Sequence, residues 1–323
     1  MRRRLSFLVV LLGTATILRA HPGSGLAVDA QGRVFATVGA FVVMIDTNGQ
    51  TRTIVSDPKN EKFYQLHHIR RAPDGGMITA SDIGDGIWRF TPEGNLSRFY
   101  PGANQDGALR VGSGGDPFEV DGEGNVYAIN SVQFRFTQIL KINPHGRISF
   151  VAGGDWGHAD GTGAQAKFAD VHGGSLVEGP VGVLYLTDDR RYLRKIMREG
   201  QVFTLAGSAT TGFADGPGAQ ARFDGPMGLV LDNAGNVLVA DSANHRIRRI
   251  TPQGMVSTLA GSGARGSADG AAASATFTEP TGLAIGPGGE VYVLEIEKQR
   301  VRKISNAGQV ITVGRVTPNP MPR

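Results

Sequence analysis

Residues 228–261, GLVLDNAGNVLVADSANHRIRRITPQGMVSTLAG, contain four short apolar runs separated by turn sequences. The first two runs are residues 228–232 and 236–241, the third alternates isoleucine with arginine at residues 246–250, and the last covers residues 255–261. This pattern predicts four antiparallel β-strands in a meander. One such sheet cannot cover both of its own faces, so it requires similar sheets beside it.

The rest of the chain repeats this pattern. A glycine between the first two strands marks each copy, at Gly32, Gly76, Gly124, Gly182, Gly235 and Gly289. A second glycine follows the third strand of each copy, at Gly49, Gly94, Gly146, Gly200, Gly254 and Gly308. Twisted sheets that each need two neighbours bury their faces by closing into a ring. We therefore predict an all-β fold, a six-bladed β-propeller of four-stranded antiparallel blades.

Composition and charge agree with a turn-rich β protein. The chain has 323 residues, 47 of them glycine, and 33 basic residues against 29 acidic ones give a net charge of +4. Three of the basic residues are Arg2, Arg3 and Arg4, so the propeller itself is close to neutral and a nucleic-acid partner is not expected. The chain has no cysteine, so packing alone must stabilise it. We expect a monomer.

The N-terminus predicts export. Residues 1–20 have a basic start, an apolar run at residues 5–12 and a small, mixed end, which is the layout of a secretory signal peptide. No later apolar run reaches the roughly 18 residues of a transmembrane helix. The expected organisation is a signal peptide at 1–20, the propeller at 21–316 and a tail at 317–323, in a secreted or periplasmic protein whose ring closes by packing of whole blades.

Residues 241–248, DSANHRIR, resemble the motif that gives the NHL-repeat family its name. The resemblance is strong in the last three repeats and weak in the first two. The place of Asp241 is held elsewhere by Val38, Asp82, Asn130, Asp188 and Glu295. We interpret such a carboxylate as structural, because it ends a strand near amide donors and the basic third strand. The resemblance also implies the propeller fold.

The links between blades should share one face with the connections between second and third strands, and variable loops on a rigid scaffold commonly bind ligands. Three links repeat an Asp-Gly pair, at Asp160, Asp215 and Asp269. Each aspartate could contribute to a calcium site, but one carboxylate per loop favours a turn. A phenylalanine follows each pair and should fill the gap between adjacent blades; these are Phe168, Phe223 and Phe277.

Polar residues precede or begin the first strands of three blades. By register, His67, His68, Asp116 and His172 lie near the mouth of the central channel. His68, Asp116 and His172 could bind zinc or another divalent metal ion. The alternative interpretation is a polar channel lining with ordered water. Further ligand-binding candidates on the loop face are aromatic, histidine and arginine side chains: Trp156, His158, Arg190 and Arg191.

Two functions remain open. The absence of GxSxG, P-loop, HExxH and dinucleotide-binding motifs favours a binding or scaffold module for a protein, peptide or glycan. The alternative is a metal-dependent hydrolase or lyase with a site at the channel mouth. The family resemblance implies this alternative, since similar propellers include metal-dependent lactonases and the lyase that cleaves peptidyl-hydroxyglycine. Their ligands come singly from separate blades, so no short motif would reveal them.

Overall fold

A computed structural model of the chain describes residues 25–56, 66–72, 74–81, 86–101, 116–132 and 135–318. These residues form six separate antiparallel sheets, and each sheet takes its four main strands consecutively from the sequence. The six-bladed β-propeller predicted from the repeat is therefore confirmed. The predicted signal peptide and the residues after 318 lie outside the described part of the chain.

Blades 1 to 3 are four-stranded, with their strands in sequence order across each sheet. Blade 1 comprises β1 (Leu26–Val28), β2 (Val34–Val38), β3 (Phe41–Ile45) and β4 (Thr51–Ser56). Blade 2 comprises β5 (Leu66–Arg71), β6 (Met77–Ser81), β7 (Gly86–Phe90) and β8 (Leu96–Pro101). Blade 3 comprises β9 (Phe118–Val120), β10 (Val126–Val132), β11 (Phe136–Ile142) and β12 (Ile148–Asp155).

Blades 4 to 6 are five-stranded, which differs from the predicted four. Blade 4 comprises β13 (Gly161–Thr162), β14 (Leu176–Glu178), β15 (Leu184–Asp188), β16 (Tyr192–Ile196) and β17 (Gln201–Ala206). Blade 5 comprises β18 (Gly216–Pro217), β19 (Pro226–Leu231), β20 (Val237–Asp241), β21 (Arg246–Ile250) and β22 (Met255–Ala260). Blade 6 comprises β23 (Gly270–Ala271), β24 (Gly282–Ile285), β25 (Val291–Glu295), β26 (Arg300–Ile304) and β27 (Gln309–Arg315). Short 3-10 helices occur at Gly163–Gln165, Pro180–Gly182, Gly218–Gln220 and Ile296–Lys298.

The extra strand of these three blades comes from the preceding link. The link turns back at its Asp-Gly pair and forms two backbone pairings with the outermost strand of the next blade, as Gly216 and Pro217 do with Val256 and Met255. A glycine suits this turn because Gly216 has a φ of 123°, which side chains rarely adopt. The link thereby covers an otherwise open sheet edge.

The antiparallel order places two kinds of connection at opposite ends of the ring. The links between blades and the loops between second and third strands leave at one end, which we call the link face. The tight turns between first and second strands, and between third and fourth strands, leave at the other end, which we call the turn face. The first strand of every blade therefore begins at the link face.

Burial decreases from the inner strands to the outer ones. In β20 every residue is buried, whereas β22 alternates between buried and exposed positions. The inner strands are covered on both faces by neighbouring blades, so both sets of side chains must be apolar. The outermost strands are covered less completely, so they keep exposed positions among the buried ones.

The three link phenylalanines fill the gaps between adjacent blades, as predicted. Phe168, Phe223 and Phe277 are at most 1% exposed. Phe223 packs in one cluster with Leu193 of blade 4 and Val239 of blade 5. Phe168 and Phe277 belong to the corresponding clusters at the 3–4 and 5–6 interfaces. Each of these links therefore contributes a side chain to the core between the two blades that it connects.

The first and last blades also share a core. Leu26, Val28 and Val34 of blade 1 cluster with Leu294 and Val301 of blade 6. Within the described ranges, no strand of one blade joins the sheet of the other. The contact that joins blade 6 to blade 1 is therefore packing between whole blades.

The register of blade 2 corrects one prediction. The glycine with the left-handed backbone in its first turn is Gly75, with a φ of 84°, rather than Gly76. Met77 pairs with Phe90 in blade 2 as Val237 pairs with Ile250 in blade 5, so Met77 and Val237 are equivalent positions. The residue equivalent to Asp241 is therefore Ser81. Asp82, assigned to that place from the sequence, lies outside the described residues. The Gly-Gly pair made the register ambiguous by one residue.

A buried arginine on the third strand ties each link of blades 4 to 6 to its blade. Arg248 is completely buried, and its Nη1 donates to Asp241 Oδ2 at 2.7 Å and to the Arg222 carbonyl at 3.1 Å. Its Nη2 donates to Asp215 Oδ1 at 2.5 Å and to the Ala214 carbonyl at 2.7 Å. We call this arrangement the arginine clamp.

The clamp recurs in the two neighbouring blades with the same chemistry. Arg194 binds Asp188 Oδ2 at 2.6 Å and Asp160 Oδ1 at 3.0 Å. Arg302 binds Glu295 Oε2 at 3.3 Å and Asp269 Oδ1 at 2.6 Å. Each guanidinium also lies 5.1–5.2 Å from the ring of the link phenylalanine. The structural interpretation of the strand-end carboxylates Asp188 and Asp241 is confirmed.

The link aspartates therefore serve the clamp. Asp215 Oδ2 also accepts hydrogen bonds from the Thr258 backbone and hydroxyl, at 3.1 and 3.0 Å. Burial acts to raise the pKa of Asp160 and of Asp269. Hydrogen bonds from Thr204 or Thr312 and the charge of the clamp arginine outweigh burial and hold both pKa values below the usual range. Calcium ligation is the weaker interpretation of these loops.

Replacing the clamp arginine should severely destabilise the protein. We expect Arg248→Met to cost about 3–5 kcal/mol of unfolding free energy, because it leaves the buried Asp241 without its charge partner. Chemical denaturation monitored by fluorescence or circular dichroism would measure the change. The matched control is Arg249→Met, since Arg249 has a side chain that is 42% exposed and should cost less than about 1 kcal/mol. Equal effects of the two variants would contradict a clamp.

One turn of blade 4 holds a valine in an unfavourable backbone conformation. Val181 has a φ of 61°, although it is β-branched, and its side chain is 83% exposed. The corresponding residue in blade 5 is Ala234, which is not among the residues with positive φ. A left-handed conformation costs an L-residue roughly 1–2 kcal/mol, and exposure leaves little packing to offset that cost.

We expect Val181→Asn to stabilise the protein by about 0.5–1 kcal/mol, because asparagine tolerates the left-handed region. Thermal and chemical unfolding would measure the gain. The control Ala234→Asn occupies the same turn position without the positive φ and should be nearly neutral. A loss of stability in Val181→Asn would show that this valine is not strained.

Candidate functional site

Two link-face residues from neighbouring blades meet at the start of the first strands. Asp116 precedes β9 of blade 3 and His172 precedes β14 of blade 4, and His172 Nε2 lies 3.5 Å from Asp116 Oδ1. His172 Nδ1 lies 3.1 Å from Asp170 Oδ1. The imidazole is therefore flanked by one carboxylate on each side. We call Asp116, Asp170 and His172 the mouth cluster.

The mouth cluster ranges from buried to accessible. The side chain of Asp116 is 6% exposed, that of His172 is 24% exposed and that of Asp170 is 42% exposed. Asp116 Oδ2 accepts a hydrogen bond of 3.0 Å from the Ser131 hydroxyl on β10. A small cavity next to His172 is lined by Gly173, Gly174, Thr187, Arg190, Gly225 and Met227, among others. Solvent or a ligand can thus reach His172 and Asp170 from the link face.

The two carboxylates favour the charged form of His172. The hydrogen bond to Asp170 is the main cause that raises the pKa of His172, with burial opposing it and the Asp116 charge adding to it. The same hydrogen bond lowers the pKa of Asp170, although burial opposes this effect. The two carboxylates therefore widen the pH range over which the His172 imidazole is charged.

This geometry bears on the predicted metal site. Among the residues that the structure describes, no three His, Cys, Asp or Glu side chains are grouped so as to hold a metal ion. His172 and Asp116 do meet, and the predicted third ligand, His68, packs against Phe118 of blade 3.

His67 and His68 lie in β5 of blade 2 and are buried, with 3% and 1% exposure. The His68 ring meets the Phe118 ring of blade 3 edge to face, with centroids 6.2 Å apart. Its backbone carbonyl accepts a hydrogen bond of 2.8 Å from the Thr79 hydroxyl. These contacts place His68 at the interface between blades 2 and 3.

The other predicted site residues separate in the structure. The His158 ring stacks on Tyr192 at 3.8 Å, and its Nδ1 lies 3.4 Å from Asp188 Oδ2, so His158 belongs to the clamp of blade 4. Arg191 binds Asp189 and the Ala209 carbonyl. Arg190 lies beside the mouth cluster, and Trp156 is 37% exposed. Only part of the predicted set therefore comes together.

The central channel contains charged residues that the sequence analysis missed. Arg70 of β5 binds Glu119 of blade 3 at 3.0 Å, and its Nη2 donates to the Ser175 hydroxyl and the Leu176 carbonyl of blade 4. It thus connects three blades across the axis. The first strands of all six blades line a channel space of about 330 Å³. The paired arginines at the end of β5 were the available signal.

Glu178, a second carboxylate of the channel, has an unusually high pKa. Burial, then the nearby Asp121 and Glu119 charges, raise the pKa of Glu178 to about 7, although Lys141 opposes the shift. Burial also raises the pKa of Glu119, with Arg70 opposing it. The turn-face end of the channel therefore gathers carboxylates, with Arg70 and Lys141 supplying positive charge.

Comparison with known proteins agrees with the fold. The family model of the NHL repeat matches residues 223–250. NHL repeat-containing protein 2 of Bos taurus is 32% identical over 163 residues, which are 46% of this chain and 22% of that protein. The protein SUPPRESSOR OF QUENCHING 1, chloroplastic, of Arabidopsis thaliana is 37% identical over 97 residues, which are 29% of this chain and 9% of that protein. The chain thus spans less than a quarter of the length of these relatives.

Solved structures extend the likeness over most of the chain. An auxiliary nutrient binding protein from Bacteroides thetaiotaomicron superimposes with a TM-score of 0.67 at 19% identity, covering 88% of this chain and 69% of that one. A streptogramin B lyase superimposes with a TM-score of 0.54 at 15% identity, covering 90% of this chain and 83% of that one. At these identities the likeness concerns the fold.

The molecule is thus a β-propeller with irregular links at one end and short turns at the other. It carries an NHL repeat at residues 223–250, and the predicted resemblance to NHL-repeat propellers is confirmed. No helix in the described ranges is long and apolar enough to cross a membrane.

The charge of His172 is testable by titration. We expect NMR to give His172 a pKa above its ordinary value of 6.5, and Asp170→Asn to lower that pKa, because it removes the main stabilising hydrogen bond. The contribution of charged His172 to the free energy of unfolding is then fully present below pH 6.5. It is lost as the pH rises through the folded-state pKa of His172. A pKa at or below 6.5 in the wild-type protein would rule out the cluster as described.

Proposed function

We propose that this chain is an exported ligand-binding propeller that binds a protein, peptide or glycan at the link face, around the mouth cluster. The observation that carries the proposal is the partly exposed group formed by Asp170 and His172, which lies beside Asp116 at the channel mouth. Export rests on the signal-peptide layout of residues 1–20.

The mouth cluster differs from the other link-face charges in what it does for the fold. Arg194, Arg248 and Arg302 are fully buried and hold links to blades, so they are not accessible to a ligand. His172 and Asp170 retain exposed surface, and His172 forms its ion pairs with Asp170 and Asp116. A carboxylate beside an imidazole whose charged form is favoured suits a peptide, which carries charges of both signs.

Binding explains the cluster better than hydrolysis by a serine nucleophile. The Ser131 hydroxyl donates to Asp116 rather than to His172, so these residues do not form the nucleophile–base pair of such an enzyme. The metal-dependent hydrolase or lyase stays a prediction without a ligand set among the described residues. The fold neighbours include both a nutrient-binding protein and a lyase, so fold likeness favours neither function.

A phage-displayed peptide library panned on the wild-type propeller would test the proposal. We expect enriched peptides to bind at least about tenfold more weakly to His172→Ala, since a charge-assisted hydrogen bond contributes about 1.5–3 kcal/mol. The matched control is His145→Ala, because His145 is exposed in a turn-face loop of blade 3. A glycan array with the same variants would show whether the ligand is a sugar.

Two results would contradict the proposal. One is that no peptide or glycan binds the folded wild-type protein. The other is that bound ligands respond to His145→Ala and not to His172→Ala, which would move binding to the turn face.

A further inference from the structure

We propose that the groove between blades 5 and 6 on the turn face is a second binding site, for a uronic-acid unit: a single sugar ring that carries a carboxylate. This groove lies at the opposite end of the ring from the mouth cluster. It is formed by the first turns of both blades, the last turn of blade 6 and the third strand of blade 5. The inference therefore does not rest on the function proposed above.

The groove has the size and floor of a small-molecule site. It encloses about 340 Å³, which is within the range of roughly 300–1,000 Å³ typical of ligand pockets. Val291 and Ile304 line it with 7% and 3% of their surface exposed, and the lining residue Leu238 is fully buried. Such a lining can contact the C–H face of a sugar ring, while polar groups on the rim contact its hydroxyls.

Arg249 supplies the charge on the rim. Its Nε is buried and has no hydrogen-bond partner among the described residues. Asp232 Oδ2 lies 3.8 Å from that Nε, close enough for an ion pair but beyond hydrogen-bond range. Asp232 instead accepts from the Ala234 and Asn236 backbone and from Asn236 Nδ2. A ligand carboxylate would therefore contact the accessible part of the guanidinium rather than the buried Nε.

Comparison with the neighbouring Arg248 shows that the accessibility of Arg249 depends on its position in the strand. Arg248 points into the blade and donates to two carboxylates and two carbonyls. Arg249, one residue later, faces the groove with its side chain 42% exposed. A guanidinium with spare parallel N–H groups binds a carboxylate through two hydrogen bonds, which a lysine cannot do.

Amide and hydroxyl groups surround the rest of the rim. The side-chain amides of Asn233 and Asn306 both face the space above Gly289. A Cβ atom added to this glycine would lie 3.3 Å from Asn233 Nδ2 and 3.7 Å from Asn306 Oδ1. Asn306 is oriented by its own hydrogen bond of 2.8 Å to the Gly288 carbonyl. Ser305 Oγ accepts from the Gln309 backbone, which leaves its hydrogen to donate. Such mixed donors and acceptors match sugar hydroxyls.

Isothermal titration calorimetry with glucuronate, galacturonate, glucose and acetate tests the proposal. We expect one of the two uronates to bind, and glucose and acetate each to bind at least about tenfold more weakly, since glucose lacks the charge and acetate lacks the ring. Arg249→Ala should weaken uronate binding by about tenfold or more, and Arg249→Lys should restore only part of it because lysine lacks the planar fork.

Two control variants show whether uronate binding depends on this groove. Lys303→Ala changes the residue at the same third-strand register in blade 6 and should leave binding unchanged. His172→Ala should also leave it unchanged, so the two proposed sites stand or fall separately. No uronate binding at roughly 10 mM, equal binding of glucose or acetate, or full binding by folded Arg249→Ala would overturn the proposal.

Discussion

A fully buried guanidinium on the third strand is the interaction on which the last three blades depend. Arg194, Arg248 and Arg302 each bind a carboxylate at the end of an inner strand and a second one on the incoming link. A buried charge is tolerated only when it is paired and hydrogen-bonded. The link must therefore follow one path, and its short strand and phenylalanine are placed as a consequence.

The first three blades manage without this interaction. At the register position of Arg248 they have Val43, Trp88 and Leu140, and their sheets have no fifth strand in the described ranges. The links that lead into blades 2 and 3 extend beyond the described residues. The ring thus has two halves. In blades 4 to 6 a clamp arginine holds the incoming link, and blades 1 to 3 lack this arginine. The mouth cluster lies where the two halves meet, between blades 3 and 4.

The repeat and the inter-blade phenylalanines could be predicted because they depend on local periodicity and turn chemistry. The meeting of Asp116 with His172 could be anticipated only in outline, since the two residues belong to different blades. Arg70 and Asp170 were missed, because their partners are fixed by closure of the ring and by a loop that turns back on itself. The one-residue error in blade 2 arose where two adjacent glycines could each occupy the turn.

The sequence by itself determined the number of blades, the order of their strands and the end at which the links emerge, because each follows from turn residues and alternating apolar positions. The tertiary structure alone decided which charged side chains are accessible. Two adjacent arginines on one strand have opposite environments, Arg248 fully buried and Arg249 partly exposed. The physical reason is that burial depends on what the neighbouring blade places against each face of the strand, and pairing across blades is not encoded by spacing along the chain.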